Sequence, residues 1–103
     1  MNIFSKLPNA KKGEVFQTIL RNKNISIERI TSQGQSTPKG KWLSGKTDEW
    51  VILLEGKSKL MFKDKSITLK KGDYVFIPAN TNHRVEWTDK RQKSVWLAVH
   101  MKR

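Results

Sequence analysis

A chain of 103 residues, 36% of them hydrophobic, is long enough for one domain around one core. It contains no cysteine, which excludes disulfides and thiolate zinc sites. Its 21 Lys and Arg against 9 Asp and Glu leave a net charge of +12. These cations are scattered in turns and at alternate strand positions rather than gathered with aromatics on one face. The charge therefore predicts only nonspecific, salt-sensitive binding to nucleic acid or other polyanions. No run is long and apolar enough for a membrane span, and residues 1–16 lack an apolar core of signal-peptide length. A soluble, cytoplasmic protein without a membrane partner is expected.

Residues 1–12 read as a polar, lysine-rich arm. Within Gly13–Leu20, the residues Val15, Phe16, Ile19 and Leu20 fall at helical spacing, which predicts a short helix. From Ile25 the period changes to two. Ile25–Thr31 is strand-like, and a polar loop, Ser32–Gly40, follows it. Short β segments then come in close succession: Glu49–Leu54, Lys57–Phe62, Ser66–Leu69, Tyr74–Ile77, His83–Trp87 and Val95–His100. The breaks between them carry turn residues, as in Glu55-Gly56-Lys57 and Lys71-Gly72-Asp73. Such spacing predicts an antiparallel sandwich or barrel and leaves no room for parallel crossovers. The expected organisation is an arm and helix over residues 1–24, packed on a barrel of residues 25–103.

Alternation assigns faces to these strands. Glu49, Val51 and Leu53 share one face; Trp50, Ile52 and Leu54 share the other. Both are apolar, so the strand is expected to be central and covered on two sides. His83 alternates with Val85 and Trp87 and is expected to point inward with them. Trp96, Ala98 and His100 oppose Val95, Leu97 and Val99. His100 is read as a surface or interface histidine, and Trp50 and Trp96 as packing beneath the N-terminal helix or across a subunit interface. Arg29 alternates with Ile25 and Ile27, which leaves two readings open: an interior cation meeting an anion, or an edge-strand charge.

The stretch Gly72-Asp-Tyr-Val-Phe-Ile-Pro78-Ala-Asn80-Thr-Asn-His83 resembles the second motif of the cupin superfamily. Glycine, proline and histidine stand at the family's spacing, with Asn80 in the second glycine slot and Trp87 in the closing asparagine slot. Glu49-Trp-Val-Ile-Leu-Leu-Glu-Gly56 resembles the end of the first motif, glutamate and glycine seven positions apart. The paired histidines of that motif are missing, since the corresponding positions hold Trp42 and Ser44, or Leu43 and Gly45. The resemblance is to small single-domain cupins without that pair, and it covers roughly residues 25–100. It implies an all-β double-stranded β-helix, a jelly-roll barrel, and a homodimer.

The resemblance also implies a site inside the barrel. Cupin metal centres use three histidines and a glutamate, and only His83 and Glu49 of that set are present here. Two protein ligands are fewer than a catalytic metal usually keeps. A degenerate metal site with Glu49 and His83 as a buried pair is therefore expected. A divalent metal held by the same two residues, completed by water, Asn80 or Asp48, is the alternative. A small ligand is expected in a pocket lined by Glu49, His83, Trp42, Trp87 and Arg29, and the basic surface favours an anionic one. The competing function is a metal-dependent oxygenase, isomerase or lyase using Glu49 and His83. A third is polyanion binding through the basic surface.

Overall fold

A computed structural model describes residues 1–103. It is all β, with eight strands: β1 (Val15–Arg21), β2 (Ile25–Ser32), β3 (Asp48–Glu55), β4 (Lys57–Phe62), β5 (Ser66–Lys70), β6 (Tyr74–Ile77), β7 (His83–Thr88) and β8 (Ser94–Met101). They form a five-stranded sheet, β1-β2-β8-β3-β6, and a three-stranded sheet, β5-β4-β7. Every pairing is antiparallel. The two inner faces close on a buried cluster to which Val51, Leu53, Ile77, Trp96 and Ala98 come from the larger sheet, and Leu60, Phe62 and Leu69 from the smaller. A fully buried leucine such as Leu53 contributes about 1.5–3 kcal/mol by leaving water. No helix is long and apolar enough to cross a membrane.

The helix expected over Gly13–Leu20 does not form. Val15–Arg21 is β1, paired with β2 from Val15↔Thr31 to Arg21↔Ser26. An irregularity between Thr18 and Leu20 puts an extra residue into β1. A bulge shifts a two-residue period by one and sets Ile19 and Leu20 side by side; together with Val15-Phe16 they imitate helical spacing. Branching at Cβ in Val15, Thr18 and Ile19 favours the extended chain, and β2 supplies the hydrogen-bonding partners.

In β4, Ser58, Leu60 and Phe62 are buried and alternate with Lys57, Lys59 and Met61. One face of this strand is plainly solvent, so its inside could be read from sequence. In β8 both faces are apolar, and the structure reverses the expected assignment. Trp96 and Ala98 belong to the core, which turns His100 inward with them, while Leu97 and Val99 face out. Trp96 Nε1 donates to Ser32 Oγ at 3.2 Å, so the indole is satisfied as well as packed. Trp50 faces outward, half-buried, with its ring 5.6 Å from that of Tyr74.

Candidate functional site

The mouth of the barrel lies where β3, β7 and β8 meet two loops. The loop between β2 and β3 is strapped along β7: Thr37 exchanges hydrogen bonds with the Val85 backbone through its own N–H and hydroxyl, and Leu43 pairs with His83 at 2.7 and 3.0 Å. The loop carrying Pro78 to Asn82 closes the other side. Asn80 N donates to Gly45 O at 2.7 Å, and Ala79 N donates to Asp48 Oδ1 at 2.9 Å. Asn80 has a φ of 62°, a left-handed conformation that asparagine tolerates better than other side chains. This accounts for an asparagine in a slot where the motif has glycine. The Ala79 amide, followed by Arg103, holds the Asp48 carboxyl below its ordinary range.

Between these loops lie two adjoining hollows, of about 200 and 160 Å³, which share Leu43, Glu49, Ile77, His83 and His100 as walls. The smaller is mainly apolar, bounded by Phe16, Ile30, Val51, Val85 and Trp96, and it adds Glu14 and Glu28. Three of the chain's nine carboxylates and both of its histidines therefore line one mouth. None of the 21 lysines and arginines does.

Strand pairing explains how these side chains meet. Glu49 and His100 stand directly opposite on β3 and β8, and Ser26 opposes His100 from β2. His100 Nε2 lies 3.0 Å from Glu28 Oε1. Glu14 Oε2 accepts from Ser32 Oγ at 2.6 Å, and that hydroxyl in turn takes the Trp96 indole N–H. His83 Nδ1 sits 2.9 Å from Thr81 O. A carbonyl only accepts, so His83 Nδ1 carries a proton, and in the neutral ring Nε2 then holds the lone pair. Glu49 is bonded to neither histidine, and the buried pair, hydrogen-bonded or ionic, expected between Glu49 and His83 is not formed.

The other expected pocket residues lie elsewhere. Trp87 points out because the ladder between β4 and β7 slips: Leu60 pairs with Val85, but Lys59 pairs with Trp87. The extra residue in β7 puts Val85 and Trp87 on opposite faces although they are two apart. Trp42 stands outside the cavity walls, with Lys63 Nζ 4.2 Å from its ring centroid. Arg29 does share a face with Ile25 and Ile27, but that face is the outer one. Its guanidinium binds Gln17 Oε1 at 2.7 and 3.0 Å and the carbonyls of Ile3 and Ser5 at 2.9 and 2.8 Å, which fastens the N-terminal arm. Sequence reasoning in turn missed Glu14, Glu28 and His100. The complementary pair Glu28 and His100, each set on a strand with apolar neighbours, was the available signal.

No three His, Cys, Asp or Glu side chains converge closely enough to hold a metal ion. His100 is engaged with Glu28, which leaves Glu49 and the second ring nitrogen of His83 as the only free donors, too few for a firmly held metal.

The Cupin domain family model matches residues 33–100. A crystal structure from Ralstonia eutropha JMP134, described as that of a "putative mannose-6-phosphate isomerase", is 37% identical with a TM-score of 0.96, over 100% of this chain and 97% of that one. A cupin superfamily protein from Desulfitobacterium hafniense DCB-2 is similar in fold, at 16% identity and a TM-score of 0.78 over 94% of this chain and 84% of that one. An RmlC-like cupin from Desulfovibrio desulfuricans gives 19% and 0.77, over 97% of this chain and 93% of that one. No curated protein matches the sequence. With the family model spanning most of the barrel and its two motif loops forming the mouth, the chain belongs to the cupin domain family.

Proposed function

We propose that this cupin binds a compact organic cation, an amine or ammonium on an apolar body, at the mouth of its barrel. The observation that carries this reading is the lining: Glu14, Glu28 and Glu49 with two histidines, against an apolar wall, and no lysine or arginine. An anionic ligand would meet three carboxylates there without a fixed countercharge. Removing a charge from water is costly unless a partner awaits it, so the lining decides the sign of the ligand. The +12 exterior acts over a screened distance of roughly 8 Å at physiological salt and matters less for affinity than contact groups do. Glu49, whose carboxylate has no protein partner, supplies the contact to the cationic head. Phe16, Ile30 and Val85 supply surface for the body. A hollow of about 160 Å³ admits a ligand that displaces roughly five waters, at about 30 Å³ each.

Titration calorimetry with a panel of small primary and quaternary amines, beside sugar phosphates of similar size, tests this. Saturable amine binding that weakens at least about tenfold in Glu49→Gln, roughly 1.4 kcal/mol, is expected. Binding of the phosphates with no binding of any amine would overturn it.

A second reading rests on the 37% identity to the Ralstonia structure. In it the mouth isomerises a sugar phosphate, with Glu49 taking the proton and a histidine returning it. Conversion of mannose 6-phosphate to the ketose phosphate, abolished in Glu49→Gln, would favour this reading over the first.

A further inference from the structure

We infer that the outer face of the three-stranded sheet is a platform for single-stranded nucleic acid, on which Trp87 stacks a base while neighbouring lysines hold the phosphates. The fold gathers on this face what the sequence scatters. Alternation turns Lys57, Lys59 and Met61 of β4 outward, and the register sets Lys70, Thr68 and Ser66 of β5 beside them in that order. On the other flank Lys59 pairs with Trp87 of β7, which is 43% exposed. An unslipped ladder would put Trp87 inside with Val85; the extra residue in β7 aims the indole onto the basic face instead. A bulge that keeps a tryptophan out of the core forgoes the burial for which that side chain is best suited, and the exposed ring calls for a partner. Beyond β7, Leu43 bridges to His83 and lines the cavity, while Trp42 stays outside, 4.2 Å from the Lys63 ammonium. Lys63 follows Phe62 in the turn between β4 and β5, so a second indole and a further cation stand at the end of the same sheet.

Charge and shape select the occupant. Lys57 and Lys70 stand directly opposite each other, an arrangement that destabilises a bare sheet and that a phosphate between them relieves. Neither they nor Lys59 makes an ion pair. The acids nearby are already engaged. Glu86 holds Arg84 at 3.1 Å, and Asp89, which feels Lys57, is taken up by Gln92 and by the amide and guanidinium of Arg91. Three free ammoniums thus lie within roughly 5–7 Å steps across and along the strands, with the indole beside them. A duplex hides the faces of its bases in the stack, so it meets the ammoniums but not the ring. An unpaired strand uses both, and without sequence preference, because every base has a π-face. An anionic membrane surface takes in a broad apolar face. Here the rows of the one exposed tryptophan and of Met61 hold Thr68 and Ser66, whose hydroxyls suit a sugar–phosphate backbone.

Fluorescence anisotropy of a labelled oligothymidine of about 12 nucleotides, inside the roughly 4–16 that a small β platform covers, tests the platform on the full chain. Binding at low ionic strength is expected, with log K falling by about 0.7 per neutralised phosphate for each tenfold rise in salt. Trp87→Ala weakens binding about tenfold, and Trp87→Phe restores most of the loss. Both alter an exposed side chain, so the β circular-dichroism spectrum is retained. Lys57→Gln combined with Lys59→Gln makes the salt slope shallower by about 1.4. Lys23→Gln combined with Lys102→Gln removes the same charge beyond the ends of β1 and β8 and leaves the slope unchanged. Absence of binding at low salt overturns the proposal. So does equal affinity of wild type and Trp87→Ala, or an equal change of slope in the two lysine pairs. A preference for a duplex of the same length, or for phosphatidylglycerol vesicles, over the single strand overturns it too.

Discussion

Replacing Gly56 by alanine should be among the most damaging single changes outside the core. Gly56 ends the first motif, in the turn from β3 to β4, with φ at +99°. A Cβ built there would overlap Ser94 Oγ and lie 2.7 Å from both the α and the β carbon of the same residue. Two costs add. A non-glycine residue in this backbone region costs about 1–3 kcal/mol, and forcing a methyl into occupied space costs about 1–3 kcal/mol more. The sum, about 4 kcal/mol, is a large share of the roughly 5–15 kcal/mol that holds a domain of this size together. It lowers the melting temperature by roughly 15–30 °C at about 4–8 °C per kcal/mol. Gly72 is the control, because its φ is +90° but a Cβ there meets nothing within 4 Å. Gly72→Ala should therefore show only the backbone cost. Urea unfolding followed by tryptophan fluorescence measures both variants. Trimming Ser94 to alanine in the Gly56→Ala background removes the clash with Oγ but leaves the backbone of that residue in the way, so it restores only part of the loss. Equal destabilisation by Gly56→Ala and Gly72→Ala would show that the approach to Ser94 is irrelevant and refute the steric account.

Ser32→Ala leaves the Trp96 indole N–H buried without an acceptor and Glu14 without its donor; a loss of about 1–3 kcal/mol in urea unfolding is expected. Arg29→Met removes the anchor of the N-terminal arm, so limited proteolysis should cut residues 1–12 faster while the barrel persists. Asp48 and Asp89 titrate below the ordinary 3.8, Asp48 chiefly through the Ala79 amide and Asp89 chiefly through that of Arg91. A carboxylate with a lowered folded pKa adds stability that is complete above its unfolded value and disappears as pH falls through the folded one. The stability gap between wild type and Asp48→Asn should thus be widest at neutral pH and close below pH about 3.8, a trend measurable by thermal melts across that range.

The strands from Ile25 onward were legible because turn residues punctuate them and because β4 and β5 put lysine, serine and threonine on the water side. Glu49 and His83 were legible as companions because two motif spacings bring them to one mouth. What alternation could not supply was the choice of inside for a strand apolar on both faces. Pairing period fixes which residues look the same way, not which way that is. His100 was misplaced, and Arg29 left between two readings, for this one reason. Their strands, β8 and β2, carry an apolar outer face that competes with the core face as a candidate interior. The bulges account for the remainder. One extra residue in β1 made a strand look helical, and one in β7 turned Trp87 away from His83. A bulge is a property of the ladder between two strands, and neither strand announces it alone.

The segregation of charge around the mouth, three carboxylates lining it and none of the 21 cations, gives ligand capture an unusual kinetic signature. An approaching cation climbs a repulsive rim before it falls into an attractive well. Added electrolyte flattens the rim, which is exposed, more than the well, which is partly enclosed. Moderate salt should accordingly hasten arrival while it slightly loosens the final grip, the reverse of electrostatic steering.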